Sequence, residues 1–354
     1  MAAVRKLKQA FPWLQTPFLI NAPMAWSATS TLAVSVTRAG GLGLIGWNDD
    51  VQFIEEQLAQ SQLEFQSPTS GVAAKNETAT LPIGMGVIVF ASRLEAWIPL
   101  LERYKPAALF LSFGTTSEFQ AWTTAARSAS PDTQIWIQIG SVAAALGAAK
   151  ACAPDALVLQ GADAGGHGHV HGGSIVSLIP EVADRLSGEG LGDVPLLAAG
   201  GIMDGRGVAA AVVLGAAGVV MGTRFLVAEE ARVPEEYRSA LIGAVDGGEV
   251  TVRSTVFDDV LQYKYVKWPG VYNGRAMRNG IYEDRVRGLG DEEVKRGLEE
   301  RREQAQGKLD IKDSMNVWAG AGVGLLKKVE KATDIVREIQ LDARRQLETG
   351  GALL

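Results

Sequence analysis

Eight short apolar runs, spaced by helix-like segments, constrain this chain more than any other feature. They are Phe18–Met24, Leu42–Gly46, Leu81–Phe90, Ala107–Gly114, Ile135–Ser141, Ala156–Gly161, Pro195–Gly201 and Gly218–Leu226. Each is continuously apolar rather than alternating, the pattern of parallel strands covered on both faces. Amphipathic or Ala-rich stretches lie between them, among them Thr31–Ala39, Val51–Gln62, Leu94–Tyr104, Val142–Ala151, Ser174–Leu186 and Arg206–Leu214. Such alternation specifies an α/β fold with a parallel sheet. Eight repeats favour closure into a (β/α)8 TIM barrel over an open, doubly wound sheet. A barrel of this kind takes about 250 residues, so a chain of 354 has room for an addition.

The addition begins where the charge pattern changes, after Leu226. Residues 283–308 are highly charged and helix-like, which reads as a solvated face. Lys327–Leu347 reads as an amphipathic helix, with Val329, Ile335, Ile339 and Leu341 among its apolar positions. The polar stretch Ser67–Thr80 reads as an exposed loop. A net charge of −6 gives no general basic field for nucleic acid. The lone Cys152 excludes an intrachain disulfide framework and fits a reducing compartment. No apolar stretch is long enough to span a bilayer, and no apolar h-region follows the basic start, which Pro12 and Pro17 interrupt. A cytoplasmic protein with neither nucleic-acid nor membrane partner is expected.

The segment richest in chemistry runs from Gln160 to Gly173, Gln-Gly-Ala-Asp-Ala-Gly-Gly-His-Gly-His-Val-His-Gly-Gly, and holds all three histidines of the chain. It leaves the C-terminal end of the sixth strand, the end that carries the active site in barrel enzymes. Gly165 and Gly166 let backbone pass close to a flat or anionic ligand, and His167 follows at once. Three readings stand. His167 is a general base or hydrogen-bond donor, since imidazole titrates near neutrality. Alternatively, His167, His169 and His171 share one face of an extended backbone and bind a metal. Otherwise they are polar residues of a Gly-rich loop.

The seventh run ends Ala199-Gly200-Gly201-Ile202 and the eighth Val220-Met221-Gly222-Thr223. Loops in these places commonly bind phosphate through backbone N–H groups and a short helix N-terminus. Gly200, Gly201 and Gly222 can bare their amides, and Thr223 adds a hydroxyl. At the end of the first run, Ala22-Pro23-Met24 can lay backbone and a thioether against a planar ring, although Met is also a common core filler. Gly41-Leu42-Gly43-Leu44-Ile45-Gly46 matches G-x-G-x-x-G by letter, but its glycines fall inside a strand rather than between strand and helix.

Taken together, Asn21–Met24, Gly40-Gly41-Leu42-Gly43, Gln160-Gly161 with Asp163–His167, Ala198–Ile202 and Met221–Phe225 resemble the nitronate monooxygenase family, formerly the 2-nitropropane dioxygenases. Gly274–Asn279 and Gly320–Gly324 also resemble family segments. The resemblance implies an FMN barrel in which Ala22, Pro23, Met24, Gln160, Gly165 and Gly166 contact the flavin. Gly200, Gly201 and the run Val220, Met221, Gly222, Thr223 would hold ribityl and phosphate. His167 would be the catalytic residue beside the flavin N5. It further implies a barrel over residues 1–226, a substrate-covering lid over 227–324, and a returning helix within 325–354. Two departures stand out: Asp163 replaces a frequent Glu, and the third run ends Gly86-Val87-Ile88-Val89-Phe90 without the frequent Asn. The implied reaction is oxidation of alkyl nitronates, or of nitroalkanes, by FMN and O2 to a carbonyl compound and nitrite. The alternative is an NAD(P)H-dependent FMN reductase of quinones or enoyl thioesters. A silent flavin- or metal-binding protein is the third reading.

Overall fold

The computed structural model describes residues 2–66, 79–261, 267–304 and 316–352. Its frame is one eight-stranded parallel sheet. The strands are β1 (Phe18–Asn21), β2 (Leu44–Ile45), β3 (Leu81–Ile88), β4 (Pro106–Ser112), β5 (Gln134–Ile139), β6 (Ala156–Gln160), β8 (Leu196–Ala199) and β9 (Gly218–Met221). β7 (Gly166–His169) lies outside this sheet. The spatial order is β1-β9-β8-β6-β5-β4-β3-β2, and a parallel bridge between Ile20 and Leu42 joins the two ends. The TIM barrel is therefore present.

The fully buried side chain of Asn21 completes that last seam. Its Oδ1 accepts from Leu44 N at 3.0 Å, and its Nδ2 donates to Leu44 O at 2.9 Å. A side-chain amide thus stands in for one rung of backbone pairing. The glycines of the G-x-G-x-x-G letters serve the same seam. A Cβ on Gly43 would collide with the backbone of Ala33, in the helix Ser30–Arg38, and one on Gly46 with the carbonyl of Met24. They permit close packing of helix and loop on β2, and no nucleotide is needed to explain them.

β3 and β4 are buried at every position, which is why their sequences show no period of two. Phe11 packs edge-on against Trp136 of β5 and against Trp13, with centroids 5.5 and 5.7 Å apart. Trp13 Nε1 donates to Gly41 O at 3.2 Å. Each large ring buried in this way contributes on the order of 2–3 kcal/mol of hydrophobic stabilisation.

Several expected boundaries move. The first strand stops at Asn21. The third stops at Ile88 and passes into a short 3-10 turn, Val89–Ala91. The eighth stops at Met221, because Gly222 turns the chain into the helix Thr223–Leu226. The C-terminal helix is Ala332–Gly351 rather than Lys327–Leu347. Its start is displaced because Glu330 pairs as a β-bridge with Ala228. Ile335 and Ile339 are buried as expected, whereas Leu341 is 60% exposed and Val329 lies outside the helix, 36% exposed. The loop expected over Ser67–Thr80 lies, apart from its last two residues, outside the described residues, as do 305–308 of the charged stretch.

A second sheet forms where the sequence reads as loop. β7 pairs antiparallel with β11 (Tyr272–Met277), which pairs antiparallel with β10 (Thr251–Ser254). Among the described residues no helix is long and apolar enough to cross a membrane.

Candidate active site

The C-terminal ends of β6, β8 and β9 surround a cleft of about 440 Å³, its open mouth included. Ala22, Gln160, Gly165, Gly200, Gly201, Val220, Met221, Gly222 and Thr223 all line it, together with Gln138, Ala164, Ile202 and Met203. Gly200 and Gly201 have φ of +109° and +73°, so the turn leaving β8 requires glycine at both positions. The two helices that follow the cleft differ. Asp204 caps the helix Gly205–Val213, its Oδ1 accepting from Arg206 N at 3.0 Å and Gly207 N at 3.2 Å. Gly222, at the cap of Thr223–Leu226, offers no side chain. Among the described residues, none accepts a hydrogen bond from the amides of Gly201, Gly222 or Thr223. Thr223 Oγ1 accepts from Gly320 N at 3.0 Å, which leaves its own proton to donate elsewhere.

Gly320 belongs to a strap that crosses this cleft. Ala321 N donates to Asp163 O at 2.9 Å. A Cβ on Gly165 would strike Ala319 and Gly320, and one on Gly322 would meet Gly201 O. The glycines thus allow two stretches far apart in sequence to cross at backbone contact. Pro23 and Met24 stand beside the cleft rather than in its lining. Met24 Sδ lies 3.9 Å from where a Gly222 Cβ would be, and Pro23 fills the space left by Gly86.

His167 is held at three points. Its Nε2 lies 2.8 Å from Asp258 Oδ1. Its ring lies flat on Trp268, with centroids 3.5 Å apart and planes 4° apart, while Trp318 approaches at 4.8 Å. Its backbone carbonyl accepts from Gln160 Nε2 at 3.0 Å, which ties β7 to the end of β6. Phe113, at the end of β4, has φ of +58°, a strained value for a bulky residue. Its ring meets both Trp268 and Tyr272 edge-on, at 5.0 and 5.2 Å.

Strand alternation puts His169 on the same face as His167, where it stands edge-on to Tyr272 at 5.1 Å. Burial, and then the nearby charge of Arg253, lower its pKa. His171 is exposed, beyond the end of the strand. Among the described residues no three His, Cys, Asp or Glu side chains are grouped as metal ligands. Asp258, Trp268, Trp318, Arg253 and Gln138 escaped the reading of the sequence. Arg275, Gly320, Ala164 and Ile202 carried a signal, as parts of segments that resemble the family.

A parallel barrel with bare amides at two adjacent strand ends, and a carboxylate-held histidine tied to the neighbouring end of β6, defines an α/β-barrel enzyme. Comparison then supplies the family. The family model described as nitronate monooxygenase matches residues 93–342. The chain is 38% identical over 343 residues to nitronate monooxygenase npaC of Metarhizium robertsii, covering 96% of this chain and 94% of that protein. It is 36% identical to a nitronate monooxygenase of Neurospora crassa, covering 98% and 94%. The chain belongs to the nitronate monooxygenase family of oxidoreductases. Its fold is similar to that of FabK from Thermotoga maritima, with a TM-score of 0.74, 22% identity and 99% of both chains covered. It is also similar to nitroalkane oxidase from Streptomyces ansochromogenes, with a TM-score of 0.68, 19% identity, and 97% and 99% covered.

Proposed function

We propose that this chain binds FMN in the cleft and oxidises alkyl nitronates, and nitroalkanes, with O2 to a carbonyl compound and nitrite. The carrying observation is the pairing of His167 with Asp258 on a strand tied to Gln160, in the lining of a cleft whose glycine amides lack acceptors among the described residues. Unpaired amides suit a phosphate, and the groove from Gly222 to Gln160 suits an elongated, polar ligand. When bound, FMN supplies the electron transfer between substrate and O2.

The residues then divide the remaining work. Gly201, Gly222 and Thr223 anchor the phosphate. Gln160 and Gly165 meet the ring, and the strap at Gly320 closes one side against water. Residues 227–324 act as the lid and 325–354 return to the barrel. With Nε2–H donated to Asp258, Nδ1 of His167 is the free ring nitrogen, and it takes the α-proton of a neutral nitroalkane. With a proton already on Nδ1, the same atom donates to the oxygens of a nitronate. Family membership supports this substrate class.

The test is His167→Asn. FMN content should stay stoichiometric, while turnover on a nitroalkane falls by roughly 10²-fold or more, well beyond the loss on the preformed nitronate. Equal rates for both proteins on a nitroalkane would remove His167 from the mechanism. Rapid anaerobic bleaching of the flavin by NADH or NADPH would favour the reductase instead. A purified chain that stays colourless in excess FMN would end the flavin reading.

A further inference from the structure

β7 has two unlike faces. His167 and His169 occupy one, and Gly166 and Gly168 the other. Arg253 lies across this face at Gly168, whereas a Cβ on Gly166 would meet nothing and glycine is set there by a φ of +72°. Arg253 of β10 is the register partner of Arg275 of β11, and Arg275 is the partner of Gly166. The register therefore puts two arginines on one face of this sheet, with the Arg253 guanidinium over Gly168. A Cβ on Gly168 would collide with both Arg253 Nη2 and Gln160 Oε1. The guanidinium thus reaches the Gln160 side of the cleft.

Like charges in direct cross-strand pairing are unfavourable, and the surroundings do little to offset them. Among the described residues neither arginine makes an ion pair. Arg253 Nη1 donates to Asn273 O and Oδ1 at 3.2 and 3.1 Å. Arg275 donates twice to Ala162 O at 3.2 Å and once to Thr251 Oγ1 at 3.2 Å. All of these acceptors are neutral. Among the described residues nothing accepts from the buried Arg253 Nε. Asp163 attracts both cations from beyond ion-pair distance. Burial, and then the charge of Arg275, push Arg253 down to about 10, so it remains a cation at neutral pH. A partly buried cation with an orphaned donor is costly unless an anion completes it.

From this placement we infer that Arg253, backed by Arg275, stabilises the negative charge that a bound flavin ring takes up on reduction. The inference rests on the FMN reading above. Two electrons and one proton convert the neutral oxidised ring into a monoanion; the electrons come from the substrate in turnover and from dithionite in the test. Charge placed beside a flavin in this way tunes its electronics. The oxidised ring is neutral, so its binding should depend little on Arg253.

Sulfite reports on this charge without turnover. Its sulfur lone pair forms a bond to flavin N5, nothing leaves, and the added negative charge spreads into the ring. In Arg253→Met holoprotein, sulfite should bind at least about tenfold more weakly. The two-electron potential of FMN should fall by about 30 mV, the equivalent of that tenfold. The affinity for oxidised FMN should change less than threefold, and Arg253→Lys should restore most of the sulfite affinity. Unchanged sulfite affinity and potential in Arg253→Met would overturn the inference and leave the FMN reading intact. So would equal losses of oxidised FMN and sulfite, which mark a structural role. A defect confined to the KM of carboxylate-bearing nitronates would also overturn it and assign the pair to substrate. If Arg253→Met does not fold, the wild-type holoprotein decides: a sulfite adduct supports the inference and its failure to form overturns it. A wild-type chain that binds no FMN overturns both readings.

Discussion

His167 and Asp258, 91 residues apart in sequence, meet through Nε2 and Oδ1 at 2.8 Å. The contact joins β7, which follows the barrel strand β6, to the helix Val256–Leu261 beyond the barrel. One carboxylate therefore holds Nε2, and the indole of Trp268 holds the plane of the ring.

Replacing Asp258 with Asn tests the first half of that arrangement. The amide keeps the size of the carboxylate but can present either an oxygen or an NH2 to Nε2, so the tautomer is no longer imposed. Turnover on a nitroalkane should fall by about 10²–10³-fold, with FMN content unchanged. Steady-state rates and the flavin-to-protein absorbance ratio check it. A loss of less than threefold would show that Asp258 does not position the imidazole.

Two glycines that look alike in sequence should behave in opposite ways. Gly43→Ala drives a methyl into the backbone of Ala33 and should destabilise the apoprotein by about 1–3 kcal/mol. At Gly222, φ is −95° and the nearest atoms to a new Cβ are Ala22 Cβ at 3.6 Å and Met24 Sδ at 3.9 Å. Gly222→Ala should therefore leave stability within about 0.5 kcal/mol. Its methyl nevertheless narrows the cleft, and FMN affinity should fall at least about tenfold, or about 1.4 kcal/mol. Denaturant unfolding of the apoprotein and titration with FMN separate the two effects.

That contrast shows how far the sequence alone could be read. The barrel strands were legible because a strand covered on both faces has to be apolar throughout, as β3 and β4 are. Gly200, Gly201 and Gly222 were legible because a strand end that must turn sharply or admit a ligand excludes side chains. β7 was not. Gly-His-Gly-His has little intrinsic strand preference, and it is extended because β11 pairs with it. Asp258, Trp268 and Arg253 reach the site only through that antiparallel register, which no local pattern encodes.

The seam of the barrel offers a stability test. Asn21→Leu removes both hydrogen bonds to Leu44 and leaves a buried N–H and C=O without partners. Each orphaned group costs roughly 1–3 kcal/mol, so a loss of about 2–5 kcal/mol is expected in denaturant unfolding. A loss below about 1 kcal/mol would show that the seam closes without the amide.

His169 should make stability depend on pH. Burial and the nearby Arg253 lower its pKa in the folded chain below the ordinary 6.5, so the folded state favours the neutral imidazole and the unfolded state takes up the proton first. The contribution is present in full above about pH 6.5 and is lost as pH falls through the folded value. His169→Gln cannot titrate. The difference in unfolding free energy between wild type and variant should therefore shift against the wild type between about pH 7.5 and pH 5. Arg253→Met removes one of the two causes, so the wild-type-like decline should shrink in that variant as well. Parallel pH profiles for wild type and His169→Gln would show that the imidazole titrates alike in the folded and unfolded chains.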